Sequence, residues 1–162
     1  MTARIVGRLF PPVIDNRYRG ITAALWLLGI VAIVKMMMGG NVVLNGAFVI
    51  TTADGVPLST YPPDAAQTVI ALFAFWGWGL FVLALMALAV LARYRSATPL
   101  MFSIFLLEHL GRKLIVEFRP IVRSVAAPAW WINAALLTLM VVGLLLSLWQ
   151  RSAPVDAAEQ GI

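Results

Sequence analysis

Long apolar runs alternate with short polar connections along the 162-residue chain, over about 20–38, 65–92, 98–118 and 128–150. Each run is close to the roughly 20 residues with which an α-helix crosses a hydrocarbon core. The pattern predicts an all-α integral membrane protein, a four-transmembrane-helix bundle in which residues 1–162 form a single membrane domain. Composition agrees with it. Apolar residues make up 62% of the chain and charged residues 12%, and the mean hydropathy is +0.92, far from the balance of soluble domains.

Local signals set the ends of the runs. The first follows the basic and aromatic leader from Phe10 to Arg19; it is longer than a signal-peptide core and no small-x-small site follows Met36-Met37-Met38, so it reads as helix one. Asp64, with Gln67 three residues on, resembles a capping box after Pro62-Pro63. Thr98 is placed as the N-cap of the third run, with Pro99 at the first helical position, and Pro120 ends that run. Trp130, Trp131 and Trp149 stand at the two ends of the fourth, where rings anchor at membrane interfaces. The tail after Arg151 is short and polar and is expected to be disordered.

The first connection, 39–63, carries turn chemistry of its own. Asn45-Gly46 between Val42-Val43-Leu44 and Ala47-Phe48-Val49-Ile50 is a hairpin signal, and Ala53-Asp54-Gly55-Val56 is a second turn. These segments predict a small extracytoplasmic β-hairpin or meander that packs on the helix ends, with an irregular loop as the alternative.

Charge then sets orientation. The net charge is +5. Arg4, Arg8, Arg17 and Arg19 precede helix one, Arg93 and Arg95 join helices two and three, Arg151 follows helix four, and 39–63 has no Lys or Arg. By the positive-inside rule both termini are cytoplasmic, with Arg119 and Arg123 against the trend. A bacterial inner membrane is the expected location. Basic residues that flank apolar runs form no stripe for nucleic acid. Without cysteine there is no disulfide, thiolate metal site, iron–sulfur cluster or c-type haem attachment.

The third run is unlike the others. Glu108, His109, Arg112, Lys113, Glu117 and Arg119 crowd its second half, and at about 1.5 Å per residue Glu108 and His109 come about 14–15 Å deep. Ionisable groups at that depth are expensive and mark a functional site by default. Pairs at i and i+4 join Glu108 to Arg112, His109 to Lys113 and Lys113 to Glu117. This spacing fits a structural ion network; it also fits a proton-exchanging Glu108–His109 pair beside an anion site of Arg112 and Lys113, which Lys35 could join.

A second group is aromatic. Phe73, Trp76 and Trp78 lie around Gly77 and Gly79 in the second run, and read first as helix packing and otherwise as a pocket for a quinone, pigment or lipid tail. Metal chemistry has thin support, since one His serves neither a bis-histidine haem nor a three-ligand zinc site, and no phosphate loop or nucleophile elbow occurs. The residues leave the identity of any cofactor unknown.

Three functions fit these residues. First is a non-catalytic membrane protein, an accessory subunit of a larger complex or a homo-oligomer. Second is a small transporter or binding protein for a proton or anionic solute. Third is a membrane enzyme acting on a lipid or quinone. The lipid bilayer is the common partner of all three.

Overall fold

The computed structural model describes residues 6–7, 9–11, 13–123 and 130–149. Five helices follow one another: α1 (Ala23–Leu44), the short α2 (Gly46–Thr52), α3 (Pro63–Arg93), α4 (Thr98–Phe118) and α5 (Trp130–Leu148), with 3₁₀ turns at Leu58–Thr60 and Arg95–Ala97. Of these, α1, α3 and α5 are long and apolar enough to cross a membrane. Their outward side chains include Trp26, Leu72, Phe75 and Leu145, all exposed. That outward apolarity suits a lipid solvent.

α1 packs most extensively on α3, and α5 lies against both α1 and α4. The α1–α3 contact is built on glycine. A Cβ on Gly39 would stand 2.5 Å from the Gly77 carbonyl oxygen, and one on Gly77 would stand 2.9 Å from the Gly39 carbonyl oxygen. Backbone therefore meets backbone, the close approach that small residues allow between membrane helices. Gly143 of α5 does the same for a side chain, since a Cβ there would strike the ring of Phe102.

The main core collects Leu28, Val31 and Ala32 of α1, Ala87 of α3, Met101, Phe102 and Phe105 of α4, and Leu136 and Met140 of α5. α4 thus supplies both phenylalanines of this core despite its charge. It belongs to the bundle through its first half.

Three local expectations are corrected, one in the first connection and two at helix starts. No strand occurs among the described residues. The segment read as a hairpin is helical: α1 runs on through Gly39-Gly40 to Leu44, and α2 begins at Gly46 with Asn45 at the junction, its N–H donating to the Asn41 carbonyl over 2.8 Å. Short apolar runs fit a buried helix as well as a strand, and periodicity cannot separate them. The second turn does form, with Gly55 at φ 73°. Beyond it, Ile50, Val56 and Leu58 make a small second core against Ile70 and Phe73 of α3 and against Ile121. A cap on the helix ends is present, but it is built from helix and turn.

The caps also shift. Pro63 is the first residue of α3, Pro62 is its N-cap and no side chain caps it, so Asp64 sits in the first turn instead of closing a box with Gln67. Ala97, not Thr98, precedes α4. Residues 128, 129 and 150 of the fourth run, Arg4, Arg8 and Arg151, and the tail beyond lie outside the described residues.

Candidate functional site

One face of α4 places the polar groups. Phe102, Phe105, His109 and Arg112 follow at three, four and three residues, a spacing that lines one helix side, and the first three are fully buried. Glu108 lies beside this stripe. On α1 the buried positions Leu28, Val31, Ala32, Lys35, Gly39 and Val42 form the matching stripe. Lys35 is therefore carried inward among apolar neighbours, about 18 Å along α1 from Ala23 at about 1.5 Å per residue.

There it meets Glu108. The Lys35 ammonium donates to Glu108 Oε2 over 2.6 Å, with the Lys35 side chain 1% exposed and that of Glu108 22%. Phe105 closes one side, its ring centroid 5.2 Å from Nζ. The other carboxylate oxygen of Glu108 faces Arg112 Nε at 3.7 Å, an ion pair without a hydrogen bond. Arg112 reaches further: Nη2 donates to Asn133 Oδ1 of α5 over 3.1 Å, and the guanidinium lies 5.0 Å from the ring centroid of Trp76 on α3. One connected set thus touches α1, α3, α4 and α5.

His109 completes it. Its Nδ1 lies 3.3 Å from Arg112 Nη2, and because a guanidinium only donates, this contact makes Nδ1 the acceptor and puts the ring proton on Nε2. Nε2 is buried and has no partner. Thr98 Oγ1 at the start of α4 is likewise buried and unpaired.

The remaining candidates fall elsewhere. Lys113 and Glu117 are exposed, and among the described residues the ion pairs are Lys35–Glu108 and Glu108–Arg112. Of the three expected i,i+4 pairs, only Glu108–Arg112 is made. Lys113 and Glu117 lie outside the inward stripe, Lys113 about 100° round the helix from Arg112, and among the described residues neither makes an ion pair.

The aromatic candidates divide in the same way. Phe73 meets Trp76 edge to face, with centroids 6.3 Å apart, and Trp76 faces Arg112. Trp78 is 58% exposed and stacks on Phe81 at 5.7 Å. Gly77 receives the α1 backbone, while nothing lies within 4 Å of a Cβ on Gly79. Phe73 and Trp76 thus meet each other, while Trp78, about 200° round the helix from Trp76, meets Phe81.

Asn133 and Phe105 were not singled out by the sequence reading. A signal for Asn133 existed, since it is the one amide inside the fourth run, the other, Gln150, standing at its end. Phe105 had none, being one apolar residue among many. Outside the bundle, burial pushes the Asp54 carboxyl up, and Arg123 and then Arg112 pull it back down. The cap therefore feels the positive charge of the α4 end.

Among the described residues no three His, Asp or Glu side chains converge as a metal site. Compared with known proteins, the chain matches no family model, no curated protein and no solved structure.

Proposed function

We propose that the chain is a non-catalytic polytopic membrane protein, an accessory subunit of a larger membrane complex or a homo-oligomer, whose intramembrane ions fix the bundle. In this reading α4 is a fourth span, the membrane is a bacterial inner membrane, and both termini face the cytoplasm. The observation that carries it is the destination of the charges: Lys35, Glu108 and Arg112 are directed at one another and at Asn133 and Trp76. Four helices are joined by a set of side chains that faces neither of the two clefts at the Arg19 end. Charges held this way favour one packing over others, and neutralising a single partner leaves the other buried without its counter-ion.

Gentle extraction followed by native mass spectrometry tests the reading. A recurrent stoichiometric partner or a defined homo-oligomer supports it; a monomer that catalyses turnover lost on Glu108→Gln, with folding intact, overturns it.

A second reading, a small transporter for a proton or anionic solute, draws on one observation: the buried Nε2–H of His109 has no acceptor. Vesicle uptake that depends on pH in the parent and is lost in His109→Gln, with folding retained, would select it over the first. A membrane enzyme acting on a lipid or quinone has less support, because Trp78 turns away from Phe73 and Trp76.

A further inference from the structure

The Arg-bearing end of the bundle holds a second polar site, apart from the ion cluster. The leader is strapped across this end. The Asp15 N–H donates to Ser96 Oγ over 2.9 Å, and Ser96 returns its hydroxyl and its N–H to the Asp15 carbonyl over 2.8 and 3.2 Å. Further on, the Ile21 N–H donates to the Leu146 carbonyl over 3.2 Å. Gly20 lies so close to α5 that a Cβ there would stand 2.5 Å from the Ser147 carbonyl oxygen. These contacts tie the strap to the α3–α4 turn and to the end of α5.

Between the strap and the first turn of α1 lies an open cleft of about 590 Å³, with Asn16, Tyr18, Arg19, Thr22, Leu25 and Arg95 on its walls. Its charge is one-sided. Among the described residues neither Arg19 nor Arg95 has an ion-pair partner, and Arg95 commits only Nε, to the Leu91 carbonyl at 3.1 Å. The Asp15 carboxylate does not line the cleft, and its Oδ1 accepts the Arg17 N–H over 3.0 Å. Burial pushes the Tyr18 phenol up to about 12, so it stays uncharged. The Tyr18 hydroxyl donates to the Ile21 carbonyl over 3.2 Å; two guanidiniums, the Asn16 amide and the Thr22 hydroxyl around one space are the donor set of a phosphate site.

The cleft also opens onto an apolar lane. From Thr22 the side chains of Trp26, Ile30, Ile33 and Met37 recur at steps of four, four, three and four along one face of α1, and all four are exposed. A free phosphate has no use for such a lane, whereas an acyl chain hanging from a phosphate ester does.

We propose that this cleft binds an anionic glycerophospholipid, its phosphate held between Arg19 and Arg95 and one acyl chain lying along the Trp26–Met37 face of α1. The site needs no assumption about what the ion cluster does.

The test uses the full chain, delipidated in detergent and titrated under native mass spectrometry with phosphatidylglycerol, with phosphatidylcholine of the same chains, and with inorganic phosphate. Phosphatidylglycerol is expected to give a saturable single adduct at concentrations where phosphatidylcholine gives little. The Arg19→Gln/Arg95→Gln variant should bind it about 30-fold more weakly, each interfacial arginine giving a factor of about 5. Thr22→Trp, which fills the cleft and keeps both charges, should also lose the adduct. Arg93→Gln, outside the cleft, should bind like the parent protein. Equal binding of the two lipids, an adduct that survives both cleft variants, or displacement of the lipid by millimolar inorganic phosphate would each overturn the proposal.

Discussion

The mid-bundle cluster and the cleft beneath the leader both hold basic side chains, yet the two regions treat them oppositely. In the cluster, Lys35 is 1% exposed and has Glu108 at 2.6 Å, while Arg112 divides its guanidinium among Glu108, Asn133 and Trp76. At the cleft, Arg19 and Arg95 are exposed and have no acidic neighbour within ion-pair reach among the described residues. Burial makes the difference. A cation enclosed among apolar side chains needs its counter-ion beside it, whereas an exposed one stays free for a ligand. Charge at a costly depth is therefore weak support for a ligand site when the protein already satisfies it.

The largest effect should come from the cluster. Glu108→Gln leaves Lys35 buried opposite a neutral amide, and it should lower unfolding stability in detergent by about 3–5 kcal/mol, the loss typical of a broken buried pair. A thermal or denaturant midpoint near that of the parent protein would break the comparison. Lys35→Met should cost less, about 1–3 kcal/mol, because Glu108 keeps Arg112 3.7 Å away and a group left with a poorer partner loses about that much. The ordering of these two losses, read from paired melts, is the sharper result.

Smaller effects follow at the edges of the cluster. Asn133→Leu removes one interhelical hydrogen bond and should cost about 1 kcal/mol, as such bonds do in membrane proteins. Arg19→Gln should change stability by no more than about 0.5 kcal/mol, the usual scale for an exposed site, even though it weakens the lipid adduct. A melt of Arg19→Gln as low as that of Lys35→Met would erase the distinction between the two regions.

The smallest effect concerns the cap. Burial raises the Asp54 carboxyl in the folded state, so the native protein holds this proton more tightly than the unfolded chain does. Its contribution is then full below the unfolded carboxylate range and is lost as pH rises through the folded one. Asp54→Asn should therefore raise the melting temperature slightly at pH 7 and leave it unchanged at acidic pH. A stabilisation that is equal at both pH values would count against a buried carboxylate.

Much of this layout was legible in the chain. The four runs locate the helices α1, α3, α4 and α5, and three of these, α1, α3 and α5, are long and apolar enough to cross a membrane. The first connection was not legible, because Val42–Ile50 suits a buried helix as well as a strand and because Gly39 serves packing on Gly77 instead of ending α1. In the site, i,i+4 spacing located the Glu108–Arg112 contact but could not show that Lys113 and Glu117 face away; that needs the angle of the inward stripe, which Phe102 and Phe105 set. Lys35 appeared as a possible companion of α4, and its depth on the buried face of α1 makes it the nearest partner of Glu108. The cleft was hidden for another reason. Arg19 and Arg95 are 76 positions apart, and the packing of α1 on α3 and the Asp15–Ser96 contact bring their segments together.

The most direct test of the central claim, that the intramembrane charges hold the bundle together, is a double-mutant cycle on Lys35 and Glu108, with unfolding of Lys35→Met, Glu108→Gln and the double variant measured in one detergent. The account predicts that the double variant is more stable than Glu108→Gln alone, with a coupling that exceeds the loss from Lys35→Met alone, because removing the cation relieves the charge that the first substitution stranded. Losses that add to within about 0.5 kcal/mol would mean that the two side chains do not act as a pair, and would contradict it.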